Sequence, residues 1–351
     1  MEDESLQTLN ISLTTFSINI HDNIAVIKLD VPNAKENSFT QEVSTDFQKL
    51  TTLIQSNDSI KGVVVMSGKT NSFIAGADIK LLDTFKDASE AEEYVREAQN
   101  ILKELEKSDK PIIVAIMGTC FGGGLELVLA CHYRIAVNDK RTLFALPEVM
   151  LGLLPGAGGT QRLPKLINLT TALDLVLTGK SIKAEKAKQI GLIDEIVEPS
   201  ESDATTHEKL ENLAIERAKQ IIDGTYIIHR SRPFTERITN FFLSRWPFLD
   251  TVVLQTAKNK ILEETCGNYP APAKILEAIR IGLIEGNEAG YEFEAKSFAE
   301  LSRSPEAKAL IGIFNASTEC KKDKYGDVKK IEITVGTILE VVIQTLYKVQ
   351  F

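Results

Sequence analysis

Apolar residues along the first two hundred positions alternate between short β-branched runs and helical spacing. Ile24–Leu29, Val63–Met66, Ile112–Met117, Tyr133–Val137 and Leu192–Val197 read as strands. Several are apolar at consecutive positions, as expected of strands covered by helices on both faces. Between the second and third, Tyr94, Ala98, Ile101, Leu102 and Leu105 recur at helical spacing, and Glu92, Glu93, Arg96, Glu104 and Lys107 mark the solvated face. The polar stretch Pro199–Thr206 reads as a linker. Beyond it, Leu210, Leu213, Ala214, Ala218 and Ile221 open a helical half. Tyr269-Pro270-Ala271-Pro272 predicts a helix start, since proline is tolerated in a first turn. Ala289–Leu310 predicts helix with a break near Ser304-Pro305, and the chain has no repeat of fixed period.

Two charges interrupt the apolar pattern. Glu126 lies within Leu125-Glu126-Leu127-Val128-Leu129-Ala130, directly after Gly122-Gly123-Gly124. Glu148 lies within Leu143–Leu151, shortly before Gly152 and Gly156-Ala157-Gly158-Gly159. A carboxylate buried without a partner raises its pKa and tends to share a proton. Two such groups are candidates for a general acid and a general base. Either could equally serve in a buried ion pair, with Arg134 or Arg162 as the partner.

Composition narrows the classes. A chain of 351 residues with 43% apolar and 25% charged positions reads as a globular protein of two domains, or of one large domain with an appendage. A net charge of −9 argues against a large nucleic-acid footprint. Cys120, Cys131, Cys266 and Cys320 form no CxxC pair, and the four histidines show no HExxH spacing, so neither a disulfide framework nor a metal site is expected. The N-terminus lacks a signal or transit pattern, and no run of eighteen apolar residues predicts a membrane span. The expected location is cytoplasmic.

The glycines carry the remaining signal. Gly156-Ala157-Gly158-Gly159-Thr160-Gln161 begins like a dinucleotide fingerprint but has glutamine at the last glycine position, and no GxxxxGK[ST] loop is present. Gly122–Gly124, following the strand Ile112–Met117, suits a helix start whose bare N–H groups approach a ligand. Such donors can hold an oxyanion, and Ser72–Lys80 is a candidate for a second donor loop.

Phe73-Ile74-Ala75-Gly76-Ala77-Asp78-Ile79-Lys80, Gly122-Gly123-Gly124-Leu125-Glu126-Leu127 and Pro147-Glu148 with Gly152–Arg162 resemble the crotonase (enoyl-CoA hydratase/isomerase) superfamily. The resemblance covers about residues 12–199. It implies an α/β fold, the ββα superhelix of the ClpP/crotonase kind, here followed by a helical linker region over 200–326. Gly267–Pro272 and Thr318–Asp323 are similar to the α-subunit of the multifunctional fatty acid oxidation complex, in which a dehydrogenase follows. The resemblance implies Glu126 and Glu148 as catalytic carboxylates and the Ala77 and Gly123 amides as the oxyanion hole. Ala75, Asp78, Ile79 and Lys80 would meet coenzyme A, which belongs to the substrate; no separate cofactor and no metal is expected. Leu125 departs from the small or cysteine residue often found there. The implied activity is enoyl-CoA hydration in fatty acid β-oxidation, with 3-enoyl to 2-enoyl isomerisation as a companion. Either a thiolase subunit or copies of the same chain are the expected partners. The rival reading is a truncated non-catalytic acyl-CoA-binding or thiolase-assembly module. In the tail, 327–351, Gly336 alone stands where three glycines would cradle a pyrophosphate, so dehydrogenase activity is expected to be absent.

Overall fold

The computed structural model describes residues 12–230, 241, 244–245, 247–265 and 267–320. Expectations for the acidic N-terminus, for Cys266 and for the 327–351 tail lie outside the described residues. The chain folds as an α/β structure with a helical C-terminal region. Its main sheet has six strands in the order β1 (Phe16–His21), β2 (Ile24–Leu29), β3 (Gly62–Ser67), β5 (Ile112–Ile116), β7 (Tyr133–Val137) and β10 (Glu195–Val197). All neighbours are parallel except the β1–β2 hairpin, whose turn holds Asp22 and Asn23 at positive φ.

The central strands are apolar throughout because both faces of the sheet are covered. Ala25, Ile27, Val63, Val65, Ile112 and Val114 enter one core. Their alternating neighbours Ile24, Val26, Val64, Met66, Ile113 and Ala115 enter a second. This two-residue alternation is the pleat of the strand expressed as packing. The second core is closed by Leu210, Ala214 and Ala218 of α7 (Asp203–Ile222). That helix begins inside the stretch expected to be linker. Ser202 and Thr205 form a reciprocal capping box, which satisfies early amides and starts the helix before the apolar stripe begins.

On the first face lie α1 (Gln41–Ser56), α2 (Ala88–Glu106) and α3 (Gly123–Ala130), and beside them a second sheet of short strands. Its order is β4 (Ser72–Ile74), β6 (Thr119–Phe121), β8 (Leu143–Ala145) and β9 (Ile182–Lys183). None of these strands was anticipated, since two or three residues carry too little periodicity. Strand β10 is shorter than the expected Leu192–Val197.

After β8 come α4 (Gly159–Leu166), α5 (Leu169–Thr178) and α6 (Ala184–Gln189). The C-terminal region comprises α8 (Gln255–Thr265), α9 (Pro270–Ile284), α10 (Asn287–Ser302) and α11 (Pro305–Cys320). Pro270 opens α9 and the break between α10 and α11 falls at Arg303-Ser304, as the proline positions predict. Helices α9 and α10 pack on each other and on α4, and α10 also packs along α2. The C-terminal region therefore lies against the glycine-rich segment of the first part of the chain.

Candidate active site

The second sheet explains why residues distant in sequence meet. Strands β4, β6 and β8 are parallel neighbours, and Ile74, Cys120 and Phe144 sit side by side across them. Three residues beyond that row come Ala77, Gly123 and Pro147. Three chain segments thus leave one sheet edge together, the position where parallel sheets commonly bind ligands. A cavity of about 510 Å³ opens there and is lined by Ala75, Ala77, Asp78, Ile79, Gly123, Glu126 and Glu148, among others. Lys80 is exposed and does not line it. Much of the remaining lining is apolar, with Leu82, Phe85, Tyr94, Phe298 and Phe314.

Ala77 forms an isolated parallel bridge with Phe39, and that bridge uses the Gly76 carbonyl at 2.9 Å and the Asp78 amide at 3.0 Å. The Ala77 amide is left out of it. Gly123 is the first residue of α3, so its amide is one of the N–H groups a helix start leaves without an intrahelical acceptor. Gly122 accepts the Glu126 amide at 3.0 Å and anchors its own amide on Ala145 at 2.9 Å, which fixes the corner between β6 and α3.

Glu126 is 3% exposed. Its Oε1 accepts from the Ala157 amide at 2.8 Å and the Gly159 amide at 2.7 Å. Neither arginine that sequence reasoning held open as a partner takes it. Arg134 pairs with Asp194 at 2.7 Å, and Arg162 pairs with Glu106 at 3.1 Å while donating to the Ala157 carbonyl at 2.7 Å. Burial pushes the Glu126 carboxyl up to about 7, against the two amides and the nearby Arg162 charge that favour ionisation.

Glu148 begins a short 3₁₀ turn, Glu148–Leu151, directly after Pro147. Its Oε2 is buried with no hydrogen-bond partner among the described residues. Burial, then the charge of Glu126, raises its carboxyl well above the usual range. The two groups face one cavity in unequal surroundings: Oε1 of Glu126 is held by two amides, whereas Oε2 of Glu148 has no hydrogen-bond partner among the described residues. The charge of Glu126 disfavours a second charge on Glu148, so the pair tends to keep one proton between them.

A third carboxylate escaped sequence reasoning. Glu294 of α10 is fully buried behind the Gly156–Thr160 loop, where Gly158 donates to its Oε1 at 2.7 Å. On sequence it is one of many glutamates in a charged helix. The available signal was its place on the stripe Gly290, Tyr291, Ala295 and Phe298, where a core residue would stand.

Cys120 and Cys131 are buried free thiols, and among the described residues no cluster of histidine, cysteine and carboxylate side chains could hold a metal. No described helix is long and apolar enough to cross a membrane.

A family model described as enoyl-CoA hydratase/isomerase matches residues 19–231. Among solved structures, the chain is similar to an enoyl-CoA hydratase from Bacillus anthracis, at 27% identity and a TM-score of 0.54, covering 78% of this chain and 97% of that one. An enoyl-CoA hydratase from Thermoplasma volcanium matches at 28% identity and a TM-score of 0.51, covering 70% and 97%. DspI of Pseudomonas aeruginosa matches at 26% identity and a TM-score of 0.54, covering 73% and 97%. With more than half of its length matched by the family model, and with the α/β crotonase-like fold around this cavity, the chain belongs to the enoyl-CoA hydratase/isomerase family of the crotonase superfamily.

Proposed function

We propose that the protein is an enoyl-CoA hydratase, adding water across the double bond of a 2-trans-enoyl thioester to give a 3-hydroxyacyl thioester. The observation that carries this reading is the meeting of two buried carboxyls of unequal environment with the Ala77 and Gly123 amides in one cavity.

The amides of Ala77 and Gly123 bind the thioester oxygen, where negative charge gathers as Cβ is attacked. Losing one such preorganised donor typically costs about 3–4 kcal/mol of transition-state stabilisation. Glu126, ionised, takes a proton from water through the oxygen not engaged by Ala157 and Gly159. The water oxygen bonds to Cβ, the π electrons pass toward the thioester oxygen, and Glu148 delivers its proton to Cα. Atoms of one water molecule are thereby added. Glu126 ends protonated and Glu148 ionised, and a proton passing between them resets the site.

Coenzyme A would lie along Ala75, Asp78 and Ile79. Lys80, exposed and next in sequence, would meet its phosphates from outside the cavity's lining. Fatty acid β-oxidation is the setting we infer, and the stretches Gly267–Pro272 and Thr318–Asp323 support kinship with the multifunctional α-subunits and hence a thiolase or self-associated partner. Glu148 acting alone between two carbons would give 3-enoyl to 2-enoyl isomerisation, a second activity of the same site.

The test is direct. Purified protein is mixed with crotonyl-CoA and loss of the conjugated enoyl absorbance is followed. Hydration above background supports the reading; a folded protein that binds the thioester and leaves its absorbance unchanged refutes it.

A further inference from the structure

The loop Gly156–Thr160 is gripped from two sides. Its Ala157 and Gly159 amides donate to Glu126, at 2.8 and 2.7 Å. The Gly158 and Thr160 amides turn the other way and donate to Glu294, at 2.7 Å on Oε1 and 3.2 Å on Oε2. The Thr160 hydroxyl donates to Oε2 as well. Gln99 of α2 completes the shell, its Nε2 donating to Glu294 Oε1 and to the Gly156 carbonyl, both at 3.0 Å. Consecutive amides of one short loop therefore alternate between two buried carboxyls.

Glu294 is 0% exposed and lies outside the lining of the cavity. Burial, followed by the charge of Glu126, pushes its carboxyl up to about 8. Such a group costs folding energy, and a hydrocarbon would fill the space without that cost. A carboxyl group offers something a hydrocarbon cannot: two oxygens that accept several donors at fixed angles. Peptide units are rigid, so fixing the Gly158 and Thr160 amides on one side also fixes where Ala157 and Gly159 point on the other.

We propose that Glu294 is a positioning residue for Glu126. It holds the loop in the orientation that aims two amides at the reacting carboxylate, and through it the C-terminal helical region completes the active site. The kinetic consequence rests on the hydratase reading; the structural consequence does not.

The experiment compares the full-length protein with Glu294→Ala and Glu294→Gln. Binding sites are counted by titration with butanoyl-CoA, a saturated thioester that cannot react, and kcat on crotonyl-CoA is expressed per site. Alanine is expected to lower kcat per site about ten- to hundredfold with KM essentially unchanged, the scale expected when a reacting group is slightly misplaced. Glutamine keeps an oxygen for Gly158 but turns an NH₂ toward the Thr160 amide, so its kcat falls between wild type and alanine. A loss of sites with kcat per site preserved in both variants would reduce Glu294 to a structural role and overturn the proposal; should alanine fail to fold, wild-type kcat per site in the glutamine variant overturns it.

Amide hydrogen exchange resolved across residues 157–160 gives a second readout that needs no turnover. Exchange is expected to quicken at all four amides in the variants. Faster exchange at Gly158 and Thr160 alone, with Ala157 and Gly159 as in wild type, overturns the coupling. An inactive wild type would refute the hydratase reading, and the exchange result would still decide the positioning.

Discussion

A methyl group placed on Gly122 would lie 3.0 Å from Oε1 of Glu148. The same residue has φ of 52° and ψ of −126°, a conformation open essentially to glycine alone. Both constraints come from the corner that turns β6 into α3 close to the glutamate of the 3₁₀ turn that follows β8. Gly122→Ala is therefore expected to destabilise the protein by about 1–3 kcal/mol through backbone strain. It should also displace Glu148 and lower kcat beyond what the lost stability explains. Chemical denaturation and steady-state rates measured on one preparation check this, and a variant of unchanged stability and rate contradicts it.

Substitution Glu126→Gln keeps the shape and leaves one oxygen to accept the Ala157 and Gly159 amides. What it removes is the capacity to take a proton from water. General-base catalysis of this kind contributes about 10²- to 10⁴-fold, so kcat should fall by that factor with thioester affinity largely retained. Rates on crotonyl-CoA and binding of a saturated thioester separate the two. Near-normal turnover would remove Glu126 from the mechanism.

The unequal environments of the two glutamates set the pH dependence. Glu126, raised to about 7, must be ionised to act as base, so activity is lost as pH falls through that value. Glu148, held well above the usual carboxylate range by burial and by the charge of Glu126, must keep its proton to act as acid, so activity is lost again as rising pH removes that proton. A bell-shaped profile of kcat/KM is expected, its acidic limb near neutrality and well above the range of an ordinary carboxylate. An acidic limb near pH 4.5, the unperturbed glutamate value, would show that burial does not act on the base.

Glu126 and Glu148, which line one cavity, stood out in the sequence because each breaks an apolar run beside glycines, a conflict between local pattern and charge. The loops around Ala77 and Gly123 stood out on different grounds, since their small residues leave the backbone accessible. Strands β4, β6 and β8, which bring those loops to one edge, were not, because two or three residues cannot display a period of two. Glu294 was hidden differently. Its helix carries glutamates at positions 288, 292, 294 and 300, and in the sequence only the place of Glu294 on the stripe of Gly290, Tyr291 and Phe298 sets it apart from its neighbours. Five of the six main-sheet strands were visible because cover on both faces leaves a largely apolar run, whereas β1, an edge strand in which Phe16, Ile18 and Ile20 alternate with polar residues, was not anticipated.

Gln161 ties the same loop to the helical region and offers a test of how tightly that region is built around it. Its Nε2 donates to the Ala278 carbonyl of α9 at 3.0 Å and to the Thr160 hydroxyl at 2.8 Å. The side chain fits between α9 and α10 because Gly282 and Gly290 present no Cβ; one built on either would overlap the Gln161 amide oxygen. Gly282→Ala must therefore expel Gln161 or part the helices, and overpacking of this sort costs about 1–3 kcal/mol. The control is Gly312→Ala in α11, where an added Cβ meets nothing within 4 Å. There the gain in helix propensity should stabilise the protein by up to about 1 kcal/mol. Opposite shifts in the unfolding midpoint are expected for the two glycine-to-alanine changes, with hydratase rate falling only for the first, and equal shifts would mean that Gln161 moves aside without consequence.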